Sequence, residues 1–246
     1  MMALALIAVL IGAWQLYADL GNVDDLILPS PSEVATALWD DRGLLWDNLL
    51  VTAQEVALGI LAAFVLGFLC AVALHFSRSL RRATYPLLVA SQAVPIVVVA
   101  PLLIVWLGFG LAPKIAIIAL VCFFPIVVTT LDALGRVDRD TLKLLRTFDA
   151  GRWAAFRFAE APAALPAALS GAKIAVAVAV IGAVFAEYSG SSEGLGHLIL
   201  QAIPQLETAR AWAAVVVLAA FAIALFSALD LAQRRLVPWT STERTP

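Results

Sequence analysis

Charge is scarce in this chain. Asp, Glu, Lys and Arg supply 14% of the residues against 63% that are hydrophobic, where soluble domains carry about 45–50% apolar residues. With a mean hydropathy of +0.96, the bulk solvent for most of the sequence is lipid. Cysteine is nearly absent: Cys70 and Cys122 each sit inside an apolar run, where they read as small packing residues rather than a disulfide or a metal pair. The two histidines, His75 and His197, fall at membrane edges and share no ligand spacing. A net charge of −2 without a basic patch excludes nucleic-acid binding. The sequence also lacks the GxxxxGK phosphate loop, HExxH and GxSxG, so it carries no recognisable nucleotide-splitting or hydrolytic centre. A self-sufficient secondary transporter is the alternative of another class, and the lack of an evident internal repeat weighs against it.

What the sequence has in abundance is apolar runs. A bilayer core about 30 Å thick needs roughly 20 apolar residues in a helix, and that ruler gives six spans. They fall near Ala3 to Leu20, Val51 to Phe76, Pro86 to Phe109, Ala112 to Leu134, Pro166 to Tyr188 and Ala211 to Leu231. The fold class is therefore all-α, a polytopic bundle of about six transmembrane helices. The N-terminal run reads as a retained first span, because no basic segment precedes it. Between the first two spans an acidic segment, Asp19 to Asp47, contains "LPSPSEVATALWDD", where Ser32 is the expected cap of a short surface helix.

Lysine and arginine set the orientation. One set of connections holds Arg78, Arg81, Arg82, Arg136, Arg139, Lys143, Arg146, Arg152, Arg157, Arg234, Arg235 and Arg244; the other holds Arg42, Lys114 and Arg210. Both termini and the loop over 136–162 are thus expected in the cytoplasm. In that loop Leu142, Leu144, Leu145 and Phe148 supply one apolar face, Asp149-Ala150-Gly151 a break, and Trp153, Phe156 and Phe158 a second face. The pattern predicts two short helices joined by a tight turn, closed by Pro162 and Pro166, a shape suited to a groove in another protein.

This loop resembles the cytoplasmic coupling motif of bacterial ATP-binding-cassette importer permeases: Glu-Ala-Ala, three residues, Gly, nine residues, Ile-x-Leu-Pro. At that spacing the triplet falls on Lys143, Leu144 and Leu145, the glycine on Asp149, the isoleucine on Ala159 and the last pair on Ala161 and Pro162. Only the proline is identical, and Asp is among the few residues that enter a left-handed turn at modest cost. "LPSPSEV" at Leu28, "SQAVPIVVVAPLLIVWLGFG" at Ser91, "CFFPIVVTTLDAL" at Cys122 and "AEYSGSSEGLG" at Ala186 extend the resemblance to the branch that imports sulfonates, taurine, nitrate, riboflavin and the pyrimidine precursor of thiamine. It implies one permease domain over residues 1–246 in the bacterial inner membrane, among lipid, beside a second copy of the chain. It further implies two copies of a separate ATPase, which hold the ATP and Mg, and an extracytoplasmic solute-binding protein. The chain itself holds no cofactor or metal. Leu145, Phe148, Asp149, Ala150, Gly151, Trp153, Phe156 and Pro162 are the expected coupling residues.

Polar residues inside spans face a cavity or a neighbouring helix. Gln92, followed by the helix-disrupting Pro95 and Pro101, is the expected pathway residue together with Pro95, since proline frees carbonyls that a cavity can use. Glu187 and Ser191 open a glycine- and serine-rich segment expected to form a re-entrant gate turn. Glu55 suits either outer solvation or a structural hydrogen bond, Lys173 snorkelling, and Gly59 and Gly67 close helix packing. A pocket with few fixed charges suits a vitamin-like heterocycle; a sulfonate would need a cation, and only Lys173, Lys114 and Arg210 lie near the spans.

Overall fold

A backbone in lipid must satisfy its own hydrogen bonds, so long apolar runs fold as helices. A computed structural model of the chain describes residues 2–20 and 27–238, and every element among them is helical. They are α1 (Met2–Leu20), α2 (Pro31–Asp40), α3 (Arg42–Phe76), α4 (Arg78–Ser91), α5 (Ile96–Leu107), α6 (Leu111–Gly135), α7 (Arg139–Thr147), α8 (Arg152–Ala155), a π-helical turn (Phe156–Glu160), α9 (Ala161–Gly190), α10 (Leu195–Ala202) and α11 (Thr208–Leu236). Residues 21–26 of the expected acidic connection and the basic position 244 lie outside the described residues.

Among the described residues, four stretches are long and apolar enough to cross a membrane: Arg42–Phe76, Leu111–Gly135, Arg152–Gly190 and Thr208–Leu236. The shortest, 25 residues, is roughly 37 Å long at 1.5 Å per residue and exceeds the hydrocarbon core. Where one span with disrupting prolines is expected over Pro86 to Phe109, the chain forms two helices, α4 and α5, bent by 104°. Pro95 is the cause. It has no N–H, it takes the cap position of α5 with φ −66°, and it drives the preceding residue out of the helical region. The apolar part of α1, Ala5–Leu20, is shorter than the four long stretches.

Contacts divide the chain into two compact units, residues 1–54 with 187–221 and residues 55–186 with 222–246. In the first, Trp14 of α1 meets Trp212 of α11 with ring centroids 5.3 Å apart, and the Gln15 carboxamide bonds both Asp19 and Ser32. Ser30, not the expected Ser32, caps α2. Pro31 occupies the first helical turn, which places Glu33 three residues after Ser30, and side chain and backbone of the two close a capping box.

The second unit is built on close approach. An alanine stripe on α9 (Ala164, Ala168, Ala172, Ala175, Ala179, Ala183, Ala186) is fully or almost fully buried, and its spacings of three and four residues keep it on one helix face. Gly59 of α3 lets Ile118 of α6 so near that a Cβ there would lie 2.4 Å from Ile118 Cγ2; at Gly67 the corresponding distance, to Ile126 Cγ2, is 3.0 Å. Small residues thus replace hydrophobic driving force with van der Waals contact. Large aliphatic residues such as Leu61, Val65, Leu66, Leu69 and Ile174 stay exposed, as an apolar solvent permits.

Gly59→Ala should therefore lower the thermal midpoint of the detergent-purified protein by about 2 °C or more, given an overpacking cost of ~1–3 kcal/mol. Gly43→Ala on the same helix, where a Cβ meets nothing within 4 Å, should leave it unchanged or raise it. Equal midpoints for the two variants would rule out the close approach.

Candidate translocation and coupling sites

The residues Ser91 and Gln92 end α4, and Pro95 and Ile96 begin α5. At this bend a cavity of about 320 Å³ is lined by them together with Leu120 and Val121 of α6 and Val178 and Ile181 of α9. Its volume lies within the ~300–1,000 Å³ range of small-molecule sites. No charged residue lines it; Ser91 and Gln92 are its polar side chains. The expected pathway pair Gln92 and Pro95 is thus brought together. Glu187 and Ser191 are not among the lining residues.

Glu187 has a different task. It is fully buried at the end of α9, where one carboxylate oxygen accepts the Thr52 hydroxyl at 2.7 Å and the other accepts the backbone N–H groups of Gly196 (2.5 Å) and His197 (3.4 Å). The Leu195 N–H donates to Thr52 Oγ1 and the Gly194 N–H to Asn48 Oδ1. Side chains therefore satisfy four orphan donors at the start of α10, with a carboxylate at the positive end of its dipole. Gly194 is required on two counts: its φ is +112°, and a Cβ would fall 2.3 Å from the Glu187 carboxyl carbon. Ser191 closes a small turn with Glu193. Glu187 thus clamps the segment between α9 and α10 rather than lining the cavity.

The cations near the spans are likewise engaged. Lys114 lies 2.5 Å from Glu55, both buried. Lys173 does not snorkel; it meets Asp230 at 2.9 Å. Arg210 forks onto Asp41 and also reaches Glu207.

In the 136–162 loop the Asp138 carboxylate caps α7 by accepting the N–H groups of Asp140 and Thr141, and these bonds hold its pKa below the ordinary aspartate value. Asp149 follows with φ +58°, while Gly151 is extended at −65°. Asp149 thus takes the left-handed turn that the family glycine would take, and the Ala150 N–H returns to the Leu145 carbonyl.

The second arm differs from expectation. It is not closed by Pro162 and Pro166 but runs through the π-turn into α9 as one 39-residue helix, Arg152–Gly190. Pro162 has no N–H to give Phe158, and the Ala161 N–H reaches back to the Phe156 carbonyl in the wider π pattern. Phe156 does not offer itself to a partner. It is 6% exposed and packs on Phe76, Leu134 and Ala164. Leu145 is half-buried. Phe148 and Trp153 are outward, at 76% and 64% exposure. Arg152 donates to the carbonyls of Phe76 (2.8 Å) and His75 (3.4 Å) at the end of α3, and His75 meets Glu160 at 2.9 Å.

Sequence reasoning missed Thr52 and Asn48, and with them the clamp. The signal was present: Asn48, Thr52 and Glu55 recur at helical spacing in an otherwise apolar run.

Residues 63–242 match the family model described as "Binding-protein-dependent transport system inner membrane component". The chain is 38% identical to a probable ABC transporter permease protein of Haemophilus influenzae, covering 95% of this chain and 96% of that one. It is 34% identical to the formylaminopyrimidine transport permease protein ThiX of Halalkalibacterium halodurans, over 87% and 86% of the two chains. A putative aliphatic sulfonates transport permease protein, SsuC of Bacillus subtilis, is 31% identical over 98% and 88%. Among solved structures, a chain of the inward-facing MetNI methionine ABC transporter shares the fold, with a TM-score of 0.66 at 19% identity, over 80% of this chain and 96% of that one. The chain belongs to the binding-protein-dependent transport system inner membrane component family. It is a permease subunit of an ABC importer and a multi-pass bacterial inner-membrane protein.

Glu187→Ala should leave buried donors without an acceptor and cost ~1–3 kcal/mol in detergent unfolding. Thr52→Val should destabilise as well. Because both act in one network, the double variant should lose at least about 0.5 kcal/mol less than the sum; simple additivity would dissolve the clamp.

Proposed function

We propose that this chain is the membrane-spanning half-channel of an ATP-driven importer for a small neutral heterocycle of the vitamin-precursor kind. The observation that carries this reading is the uncharged cavity at Gln92, set beside three near-span cations that are all held by carboxylates. An anionic sulfonate would want a cation or a fork of donors, whereas a pyrimidine needs an amide and an apolar wall. A relative named for formylaminopyrimidine transport agrees with this reading. The relative named for aliphatic sulfonates keeps sulfonate import as the second reading.

In this proposal both termini and the 136–162 loop face the cytoplasm, in keeping with the lysine and arginine asymmetry. A second copy of the chain completes the pathway. An extracytoplasmic binding protein delivers the ligand, and two copies of a separate ATPase hold ATP and Mg. The loop receives their motion, with Phe148 and Trp153 as the outward anchors and Leu145, Asp149, Ala150, Gly151, Phe156 and Pro162 shaping the turn that presents them.

Uptake of labelled formylaminopyrimidine, riboflavin and taurine in cells carrying the cognate partners tests the substrate. Gln92→Ala should cut heterocycle uptake about ten- to a hundredfold, the effect of one lost buried hydrogen bond of ~1–3 kcal/mol, while ATPase co-purification persists. Robust taurine uptake that disappears only with Lys114→Ala or Arg210→Ala would overturn the heterocycle reading. The coupling surface has its own test. Phe148→Ala with Trp153→Ala should remove two aromatic anchors worth roughly 2 kcal/mol or more together and lower recovery of the ATPase complex. Normal recovery and normal uptake would place the docking surface elsewhere.

A further inference from the structure

Behind the loop the second unit contains another cavity, of about 600 Å³, which the transport reading leaves without a role. Four guanidinium groups line it, those of Arg78, Arg81, Arg146 and Arg152. They come from the first turn of α4, the last turn of α7 and the start of α8. One carboxylate, Glu160, shares the wall, and it is engaged by His75 at 2.9 Å.

Arg152 is committed to the carbonyls that end α3 and lies over the Phe76 ring at 4.7 Å. Among the described residues, none of the ion pairs involves Arg78, Arg81 or Arg146. Like charges around one concavity favour an anion between them. Guanidinium forks match phosphoryl oxygens in pairs.

The cavity also has an apolar wall. Leu74 and Phe76, at the end of the long apolar helix α3, line it, as does Leu142 of α7. Leu80 and Leu87 stand exposed along α4. A free phosphate has no use for such a wall, whereas a lipid brings acyl chains to the end of a span together with its phosphate. Basic pockets between spans on the cytoplasmic side suit anionic headgroups.

We infer that this cavity is a binding site for the phosphodiester headgroup of an anionic phospholipid, held by Arg78, Arg81 and Arg146 with Arg152 fixing the wall behind them. The inference rests on the proposed orientation, in which the loop lies at the inner headgroup level. Such a lipid joins α4 to α7 and α8, so the coupling loop is seated on the membrane as well as on the protein.

Native mass spectrometry of the delipidated permease–ATPase complex, titrated separately with phosphatidylglycerol and phosphatidylcholine, tests it. Wild type should retain phosphatidylglycerol at least about tenfold more tightly than phosphatidylcholine. Arg81→Gln with Arg146→Gln should weaken phosphatidylglycerol about ten- to a hundredfold and leave phosphatidylcholine unchanged. Arg82→Gln, on the same helix but outside the lining, should retain wild-type binding. Equal phosphatidylglycerol retention in wild type and the double variant would overturn the site. Displacement of the lipid by millimolar inorganic phosphate would overturn the lipid assignment in favour of a free anion. Loss of the ATPase from the lipid-free double variant would overturn it in favour of a protein contact. Because ATPase recovery and lipid retention are read in the same spectra, failure of the lipid site with the wild-type complex intact leaves the importer reading standing.

Discussion

Glu55 and Lys114 lie 2.5 Å apart, and both are buried in an otherwise apolar bundle. Neither charge is tolerable there alone, since an isolated ion in a low-dielectric interior costs many kcal/mol. The same constraint recurs at Lys173 with Asp230, where a cation on α9 finds its carboxylate on α11. Paired, each charge becomes a cross-link between helices far apart in sequence; unpaired, each would break the helix packing around it. This rule of compulsory partners organises the second unit. It constrains which faces of α3, α6, α9 and α11 turn inward.

Close packing then converts the pairs into a rigid body. The alanine stripe of α9 and the glycines of α3 leave no slack against α6, so the helices move as units. The second arm of the loop is continuous with α9, whose Val178 and Ile181 line the cavity. From Phe156 to Ile181 is roughly 37 Å at 1.5 Å per residue, a distance that a single helix can transmit without intermediate joints. At its start the helix is tied to the end of α3 by Arg152, by His75 with Glu160, and by Phe156 against Phe76. The π-turn, Phe156–Glu160, itself carries two of these ties, just before the place where Pro162 removes a donor.

Much of this was legible in the residues. The apolar runs gave an all-helical membrane fold, Gly59 and Gly67 gave close approach, and Asp149 was recognisable as the residue that could stand in a glycine turn. Pro95 was legible as a helix disruptor, but the size of the bend there was not, because a run from Pro86 to Phe109 satisfies the length of a span whether or not it is straight, and hydropathy carries no direction. Phe156 was misread for a related reason. An aromatic residue on an amphipathic arm looks the same in sequence whether its face meets a partner or its own chain, and the π-turn that rotates the arm inward depends on the missing donor at Pro162, not on any apolar period. The clamp around Glu187 was hidden by sequence distance, since Asn48 and Thr52 lie more than a hundred positions from their partners.

Asp149 shows how local strain and function are balanced in the loop. At φ +58° a side chain other than glycine carries a cost of about 1 kcal/mol, lowest for Asp and Asn. The turn holds because its surroundings over-determine it: the Ala150 N–H closes on Leu145, Asp138 caps α7 from the other end, and Arg152 anchors the next helix to α3. A glycine would enter the same conformation at lower enthalpic cost but would leave the unfolded and partly folded loop with more freedom to lose. The aspartate narrows those alternatives while keeping the turn tight. What it gives up in local stability it returns in definition of the turn.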